Sequence, residues 1–350
     1  MELTFRQIEN ANLWNNFVLS QSRYSFVQSY EYGEVLPAIV DEIRKIGIYE
    51  KDNKLIGLLQ IGIIKAKRGS YLRLRHGPII DVEYQTKEII MKVVEYLENI
   101  CKTQNLAFIR IQPFIDDIEL FRKLGFRSAP SHNLDAEHTL QLNIEKFRSK
   151  NVENTKSAVL NNMRKNTRYY IRKAEKEGVR VQKDNANFDA FYSILKNTAS
   201  RQDYTTWPRK YFENLFQTFN SDQLSLYFAE VEGQKVGIGL FLDFGKYRFY
   251  LEGGMDMKYS KYYPAYAIQW RSISDAIEKG IEIYDFWGGV APKDDKGESI
   301  KNYPWAGINL FKAGFGGEEV SMLHPHDKPV TRKYWITWLI ERVEKWRRGY

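Results

Sequence analysis

The sequence contains one supersecondary pattern twice, and this repeat constrains the fold more than any other feature. Each copy has a hairpin with a polar turn, then an amphipathic helix, then a short apolar strand. The hairpins lie at 48–61 and 226–241, the helices at about 87–102 and 265–279, and the strands at 106–111 and 281–286. A chain of 350 residues is also longer than one hydrophobic core usually supports. We therefore predict two copies of one α/β domain.

Each copy also carries a Lys-x-Gly-Phe motif after its strand. The motif begins at Lys123 in the first copy and at Lys312 in the second. Lys312 stands between Gly307 and Gly317, among apolar residues and glycines, and follows a Gly-Gly pair at 288–289 that should end the preceding strand. Two interpretations of Lys312 remain open: a surface lysine on a strand edge, or a cation held where negative charge develops during a reaction.

A strongly basic segment lies between the two copies. The sequence predicts one helix from residue 157 to residue 177, with its apolar residues on one stripe. Arg164, Arg168 and Arg172 are spaced by four and therefore project from one side, with Lys165 beside them. Like charges at this spacing repel by about 0.2–0.5 kcal/mol per pair, so a partner that offsets the repulsion is expected. The segment predicts a phosphate-binding surface, with a solvated face as the alternative.

Composition and short motifs exclude several classes of function. The formal charge of +8 favours a polyanionic partner or substrate. A single cysteine, Cys101, excludes internal disulfides and cysteine-based zinc sites, and the five histidines lack metal-ligand spacing. No Walker loop, Rossmann fingerprint or Ser-His-Asp order is visible in the sequence. Without a signal peptide or a long apolar run, the expected location is the cytoplasm.

The basic segment also carries a family resemblance. Residues 163–179 resemble the hallmark helix of the Fem (FemABX-like) family of aminoacyltransferases, and residues 28–33, 284–289 and 311–317 agree with that family in the same order. The resemblance implies two GNAT-like (acetyltransferase-like) domains with mixed β-sheets flanked by helices, without a coiled-coil insertion. The expected domains are 1–145 and 146–327, and the C-terminal helix at 328–350 is expected to pack back on the first.

The resemblance also implies a reaction. Similar enzymes take an amino acid from aminoacyl-tRNA and join it to the amino group at position three of a peptidoglycan stem peptide, carried on UDP-N-acetylmuramic acid or lipid II. No further cofactor is implied. Lys312 and Phe311 match the family positions that contact the tRNA acceptor end and the reacting ester, with core packing as an alternative for Phe311. Arg201 looks like a substrate-facing arginine, with a structural ion pair as its alternative.

The chain departs from the family pattern at several places. Similar proteins have Tyr-x-Tyr-Gly where this chain has Tyr-Leu-Glu-Gly from Tyr250, so only Tyr250 is carried over as a substrate contact. Leu36 replaces a common lysine, and Gln112 replaces a common acidic residue and cannot act as a base. Asp285, at a strand end, is a candidate substrate contact, with support of a backbone turn as the alternative. No general base is assigned.

Three other functions are alternatives to aminoacyl transfer. An acetyl-CoA acetyltransferase needs a Gly-rich pyrophosphate loop at the start of the helix after the hairpin, where this chain has Lys-Tyr-Tyr-Pro-Ala-Tyr at 261–266. A non-catalytic RNA-binding protein would explain the basic segment but would not require Lys312. A GNAT-like N-acyltransferase acting on another amine is the third.

The C-terminal helix, at 332–348, is cationic and rich in tryptophan. Two roles remain open for it: packing on the first domain, and peripheral contact with an anionic membrane.

Overall fold

The computed structural model describes residues 2–67, 69–115, 118–130, 136–202, 204–290 and 306–348. Residues 291–305, which belong to the segment between the predicted strand at 281–286 and Lys312, lie outside the described residues. The chain forms two compact units. The first contains Met1–Glu137 and Met322–Tyr350, and the second contains His138–Ser321.

The first unit is built from five helices and eight strands in the described part of the chain. Its helices are α1 (Ala11–Leu19), α2 (Tyr30–Val35), α3 (Lys87–Thr103), α4 (Glu119–Lys123) and, at the other end of the chain, α11 (Tyr334–Arg348). Its strands are β1 (Thr4–Gln7), β2 (Glu42–Tyr49), β3 (Leu55–Ile64), β4 (Tyr71–Leu74), β5 (Ile79–Ile80), β6 (Phe108–Ile111), β7 (Arg127–Ser128) and β15 (His326–Pro329).

The second unit has six helices and seven strands among its described residues. Its helices are α5 (Val152–Asn162), α6 (Lys165–Lys176), α7 (Phe188–Arg201), α8 (Arg209–Thr218), α9 (Pro264–Glu278) and α10 (Ala306–Ala313). Its strands are β8 (His138–Asn143), β9 (Arg180–Lys183), β10 (Leu224–Val231), β11 (Gln234–Phe244), β12 (Tyr247–Met255), β13 (Ile283–Gly289) and β14 (Glu318–Ser321).

The two sheets have matching strand orders, which confirms the predicted mixed α/β fold. The first sheet runs β1-β2-β3-β4-β6-β15-β7, and the second runs β9-β10-β11-β12-β13-β8-β14 when read from the equivalent edge. In each sheet one pair is parallel, β4 with β6 and β12 with β13, because an amphipathic helix connects those two strands. That helix is α3 in the first unit and α9 in the second, and each buries its apolar face in the core.

The last strand of each repeat lies in the sheet of the other unit. Strand β8 follows β7 in sequence but pairs with β13 and β14, and β15 follows β14 but pairs with β6 and β7. A division after residue 145 follows the sequence repeat and leaves β8 with the first copy. The compact units instead divide at 137/138 and at 321/322. The reason is that β8 pairs with strands of the second unit and β15 pairs with strands of the first.

The basic segment is not one helix, and the prediction of a helix from 157 to 177 is wrong. Helix α5 ends at Asn162. Met163 and Arg164, with ψ angles of 156° and 146°, are extended and separate it from α6. Two contacts hold this break. The Arg164 amide donates to the Gly314 carbonyl at 3.0 Å, and the Arg168 guanidinium donates to the Asn161 carbonyl at 2.8 Å. The apolar residues have helical spacing on both sides of the break, as predicted, but the break itself depends on contacts between residues distant in sequence.

Helix α11 packs on the sheet of the first unit. Tyr334 is buried with its ring 5.2 Å from that of Phe108, and Glu341 accepts hydrogen bonds from Arg110. Along the described ranges, we find no helix with the combined length and apolar content that a membrane span requires.

Candidate active site

The candidate site lies in the second unit where two parallel strands separate. Strands β12 and β13 pair from Tyr247 with Ile283 to Phe249 with Asp285, and both continue beyond that point without pairing to each other. Backbone groups on the facing edges therefore need other partners. The separation creates a place where side chains from several elements meet exposed backbone carbonyls.

Lys312 supplies one such partner. Its Nζ donates to the Phe286 carbonyl at 2.7 Å and lies 3.4 Å from the Trp287 carbonyl. The lysine belongs to the last turn of α10, so the interpretation as a strand-edge lysine was wrong in secondary structure. The strand ends within the Gly-Gly pair at 288–289, as predicted, because Gly289 is the last residue of β13. Trp287 and Gly288 take positive φ angles, of 49° and 102°, and this bend turns the two carbonyls toward the ammonium.

Lys312 is a buried cation, with 9% of its surface exposed. Burial lowers its pKa to about 8, although the charges of Asp285 and Glu252 act in the opposite direction. The Tyr250 ring centroid lies 5.3 Å from Nζ, so an aromatic face also borders the ammonium. The arrangement fixes a positive charge in a site largely shielded from water.

Asp285 has its carboxylate fully engaged. The side chain is completely buried, and Oδ1 accepts from the Thr139 hydroxyl at 2.6 Å and from the Trp287 amide at 2.7 Å. Oδ2 accepts from the Gln141 amide at 2.8 Å. Burial raises the pKa of Asp285, against these hydrogen bonds and the charge of Lys312. The contacts fit support of the bend at Trp287, and a direct substrate contact by Asp285 stays a prediction.

Glu252 was not among the candidate site residues identified from the sequence. A β-bulge places Tyr250 opposite Phe241 and Glu252 opposite Leu240, so that Leu251 is the extra residue in β12. Burial raises the pKa of Glu252 to about 7, while the charge of Lys312 opposes the rise. The departure from Tyr-x-Tyr-Gly marked this position, but no local pattern indicates its electrostatic interaction with Lys312.

Two further candidates border this centre or lie at its edge. Phe311 is half-buried and packs against Tyr266, at 4.9 Å between ring centroids, and against Phe315, at 5.2 Å. Arg201 is exposed at the end of α7, and its Nη1 donates to the Met255 carbonyl at 3.0 Å. Their contacts with substrate remain predictions.

The four basic residues do not form the predicted single row. Lys165 and Arg172 are exposed on α6, and Arg164 is exposed at the residue that precedes it. Arg168 is half-buried and bonds the carbonyls that end α5, so part of its charge is used inside the protein. Because the Arg164 amide bonds Gly314, the exposed basic surface begins next to the turn that follows α10.

Tyrosines crowd the start of α9. Tyr170 stacks on Tyr263 with centroids 4.4 Å apart and contacts Tyr266 at 4.9 Å. Tyr263 itself has a left-handed backbone, with φ of 58°, and the Lys173 ammonium lies 5.2 Å from its ring. Aromatic rings therefore occupy the place where a Gly-rich phosphate loop would open this helix.

Two family models match successive parts of the chain. The model described as "FemAB family" matches residues 10–134, and the model described as "Acetyltransferase (GNAT) domain" matches residues 161–296.

Relatives and solved structures agree with these models. The UDP-N-acetylmuramoylpentapeptide-lysine N(6)-alanyltransferase of Weissella viridescens is 29% identical over 35% of this chain and 37% of that protein. The aminoacyltransferase FemA of Staphylococcus epidermidis is 22% identical over 92% of this chain and 95% of that protein. The crystal structure of FemX has a TM-score of 0.77, with 18% identity over 97% of this chain and all of that one.

Proposed function

Because this chain belongs to the FemAB family of tandem GNAT-like proteins, we propose that it is an aminoacyltransferase that builds peptidoglycan cross-bridges. The reaction joins an amino acid to the amino group of a stem peptide. The name of the Weissella relative describes transfer of alanine to a lysine N6 of such a precursor. UDP-linked and lipid-linked precursors are both candidate acceptors.

The position of Lys312 is the observation that carries the proposal. Aminolysis of an ester places negative charge on the former carbonyl oxygen in the transition state. The Phe286 and Trp287 carbonyls engage two of the three N–H groups of the Lys312 ammonium, and the third can donate to that oxygen. A donor held in place before reaction, inside a site shielded from water, typically contributes several kcal/mol, about 3–4 for one oxyanion donor.

We propose aminoacyl-tRNA as the donor. Support comes from the basic surface formed by Arg164, Lys165 and Arg172, which begins at the contact between Arg164 and Gly314. A polyanion bound there reaches the end of α10, which carries Phe311 and Lys312. Counterion release from the phosphates supplies affinity without sequence specificity. The arrangement suits a terminal ester delivered by a long anionic carrier.

The crowded start of α9 argues against acetyl-CoA as the donor. Pyrophosphate binding in that position needs free backbone amides at a helix N-terminus and room for the backbone to approach the phosphates. Here Tyr263 and Tyr266 fill the position together with Tyr170, and the amides of Tyr266 and Ala267 already bond the Tyr263 carbonyl. N-acyl transfer from a coenzyme A thioester is therefore the weaker proposal.

We further propose that α11 makes peripheral contact with an anionic membrane. One face of the helix packs on the first unit through Tyr334 and Trp338. The other face exposes a second set of large apolar side chains: Trp335, Ile336, Leu339, Val343 and Trp346, the last with 81% of its surface exposed. Exposed Arg342, Lys345 and Arg347 flank this face and suit anionic headgroups. Such contact would bring the enzyme to a lipid-linked acceptor.

One experiment tests the reaction. The pure protein is incubated with total charged tRNA and either UDP-N-acetylmuramoyl-pentapeptide or lipid II, and product masses are measured. A mass increase of one amino acid on one precursor is the expected result. A parallel incubation with acetyl-CoA in place of tRNA measures the alternative. Acetylation without aminoacyl transfer, or no product from any pair, would overturn the proposal.

A further inference from the structure

We propose that Glu252 is the general base of this enzyme and takes the proton from the attacking amine as the new amide bond forms. The inference rests on the proposed aminoacyl transfer and adds the residue that the reaction requires but that sequence reasoning did not assign. It stands on the position of the residue in the bulge of β12, on a carboxylate that no donor among the described residues bonds, and on its electrostatic interaction with Lys312.

The bulge places Glu252 at the strand separation. β12 and β13 stop pairing after Phe249, three residues before Glu252 along β12, so this part of the strand faces the gap. The Tyr250 hydroxyl lies over Gly253, where an added Cβ would be 1.7 Å from it. Only glycine therefore lets the Tyr250 ring lie along the strand. The Tyr250 ring borders Lys312, and the charges of Glu252 and Lys312 act on each other across the gap.

The Glu252 carboxylate is half-buried, yet within the described part of the chain no donor reaches it with a hydrogen bond or a close ion pair. Asp285, on the neighbouring strand, shows the contrast, since both of its oxygens are bonded. A half-buried carboxylate with a shifted pKa that no donor among the described residues bonds is a candidate functional group. An incoming ammonium or amine supplies the missing donor.

The charges around Glu252 set its protonation. Lys312 on α10 favours the ionised form, whereas burial disfavours it, and the balance leaves the pKa at about 7. From the segment after α7, Tyr204 faces the same carboxylate, and burial together with the charge of Glu252 raises the pKa of Tyr204 to about 12. Asp285 on β13 completes the charged set through Lys312. A base titrating near neutral pH is well matched to proton transfer at that pH.

The proposed step balances. The neutral amine of the acceptor attacks the ester carbon, a C–N bond forms, and the carbonyl oxygen takes the negative charge beside Lys312. The Glu252 carboxylate accepts the proton that the nitrogen must lose. When the carbonyl reforms, the bond between carbon and the ester oxygen breaks, and Glu252 returns the proton to the leaving oxygen. The products are an amide and a free hydroxyl, and Glu252 is again ionised.

Glu252→Gln tests the role while keeping the size of the side chain. We expect kcat to fall by about 10²-fold or more with little change in KM. The rising limb of the wild-type pH profile, with its midpoint near pH 7, should disappear. Glu252→Asp should recover part of the rate and keep a rising limb, because it retains a carboxylate. Glu230→Gln, on β10 of the same sheet, is the matched control and should behave as the wild type.

A readout that does not depend on turnover accompanies the kinetics. Difference infrared spectra of the wild type against Glu252→Gln should show one carboxyl group titrating near neutral pH. Retention of the wild-type rate and pH profile in Glu252→Gln, or loss of the rising limb only in Lys312→Met, would overturn the inference. A wild type that transfers no amino acid at all would instead remove the proposed function itself.

Discussion

Arg110 and Asp327 form a bidentate ion pair although 217 residues separate them in sequence. The two bonds measure 2.7 and 2.8 Å, both side chains are buried, and Glu341 of α11 adds a second carboxylate to the same guanidinium. The pair joins β6 to the incoming β15 in the core of the first unit. The last part of the chain is thus fastened by charge as well as by strand pairing.

Asp327→Asn should destabilise the first unit strongly. The substitution leaves a buried guanidinium with only Glu341 as a charged partner, and breaking a buried pair typically costs about 3–5 kcal/mol. Urea unfolding followed by fluorescence measures the change. Glu119→Gln removes the exposed pair between Arg122 and Glu119 and should cost less than about 1 kcal/mol. Equal effects of the two substitutions would contradict the prediction.

Lys312→Met should lower kcat by about 10²- to 10³-fold while donor affinity stays nearly unchanged, because the ammonium acts on charge that exists only in the transition state. Lys123→Met is the control. Lys123 occupies the equivalent motif position in the first unit but is exposed on α4. Steady-state kinetics measure kcat, and a tRNA binding assay measures the donor affinity. Loss of activity through weaker tRNA binding alone would assign Lys312 to a phosphate contact.

The basic surface predicts the salt dependence of tRNA binding. Replacing Arg164 and Arg172 with glutamate should weaken binding and reduce the slope of log Kd against log salt by about two units, about one for each lost phosphate contact. Arg168 is left unchanged, because its guanidinium donates a hydrogen bond to the Asn161 carbonyl at the end of α5. Lys196→Glu with Lys210→Glu changes the same charge on exposed residues of α7 and α8 and should leave the slope close to the wild type. An unchanged slope in the arginine variant argues against this surface.

Helix α11 should bind vesicles that contain anionic lipid. We expect the wild type to float with such vesicles and not with neutral ones, and Leu339→Glu with Trp346→Glu to abolish flotation, since both side chains are exposed. Val82→Glu, at an exposed valine elsewhere in the first unit, is the control and should float as the wild type does. If the wild type does not float with anionic vesicles, membrane contact through α11 is wrong.

The pair formed by His324 and Glu137 should make stability depend on pH. Burial disfavours the charged ring, but the hydrogen bond and charge of Glu137 outweigh it and raise the pKa of His324. A raised folded-state pKa gives stabilisation that is complete below the ordinary value of about 6.5 and is lost as pH rises through the folded value. The free energy of unfolding of the wild type should therefore exceed that of His324→Gln most at low pH. A difference independent of pH would contradict this.

Local pattern predicted the elements well. Both hairpins, both connecting helices and the strands near 106–111 and 281–286 were expected close to their observed bounds, because each has a clear period of apolar residues. The repeated Lys-x-Gly-Phe motif also marks equivalent places: a helix end, a turn and a buried phenylalanine, Phe126 in one copy and Phe315 in the other.

Features that depend on distant contacts were not predicted. The break at Met163 depends on Gly314, and the placement of Glu252 depends on a bulge opposite Leu240 and Phe241 together with a lysine 60 positions later in the chain. The spacing of apolar residues along the sequence contains no information about such long-range contacts. The sequence did mark Lys312 as unusual, but its carbonyl partners follow from the separation of β12 and β13, which only pairing reveals.

The crossed placement of β8 and β15 reverses the order in which the two units can be completed during synthesis. Multidomain chains usually fold from the N-terminus as they leave the ribosome. Here the second unit possesses all its strands once Ser321 has been made, whereas the first sheet waits for His326–Pro329 with the edge of β6 unpaired. An unpaired strand edge invites wrong partners. The half of the protein that is made first therefore finishes last, and it needs protection for the whole time that the second half is being translated.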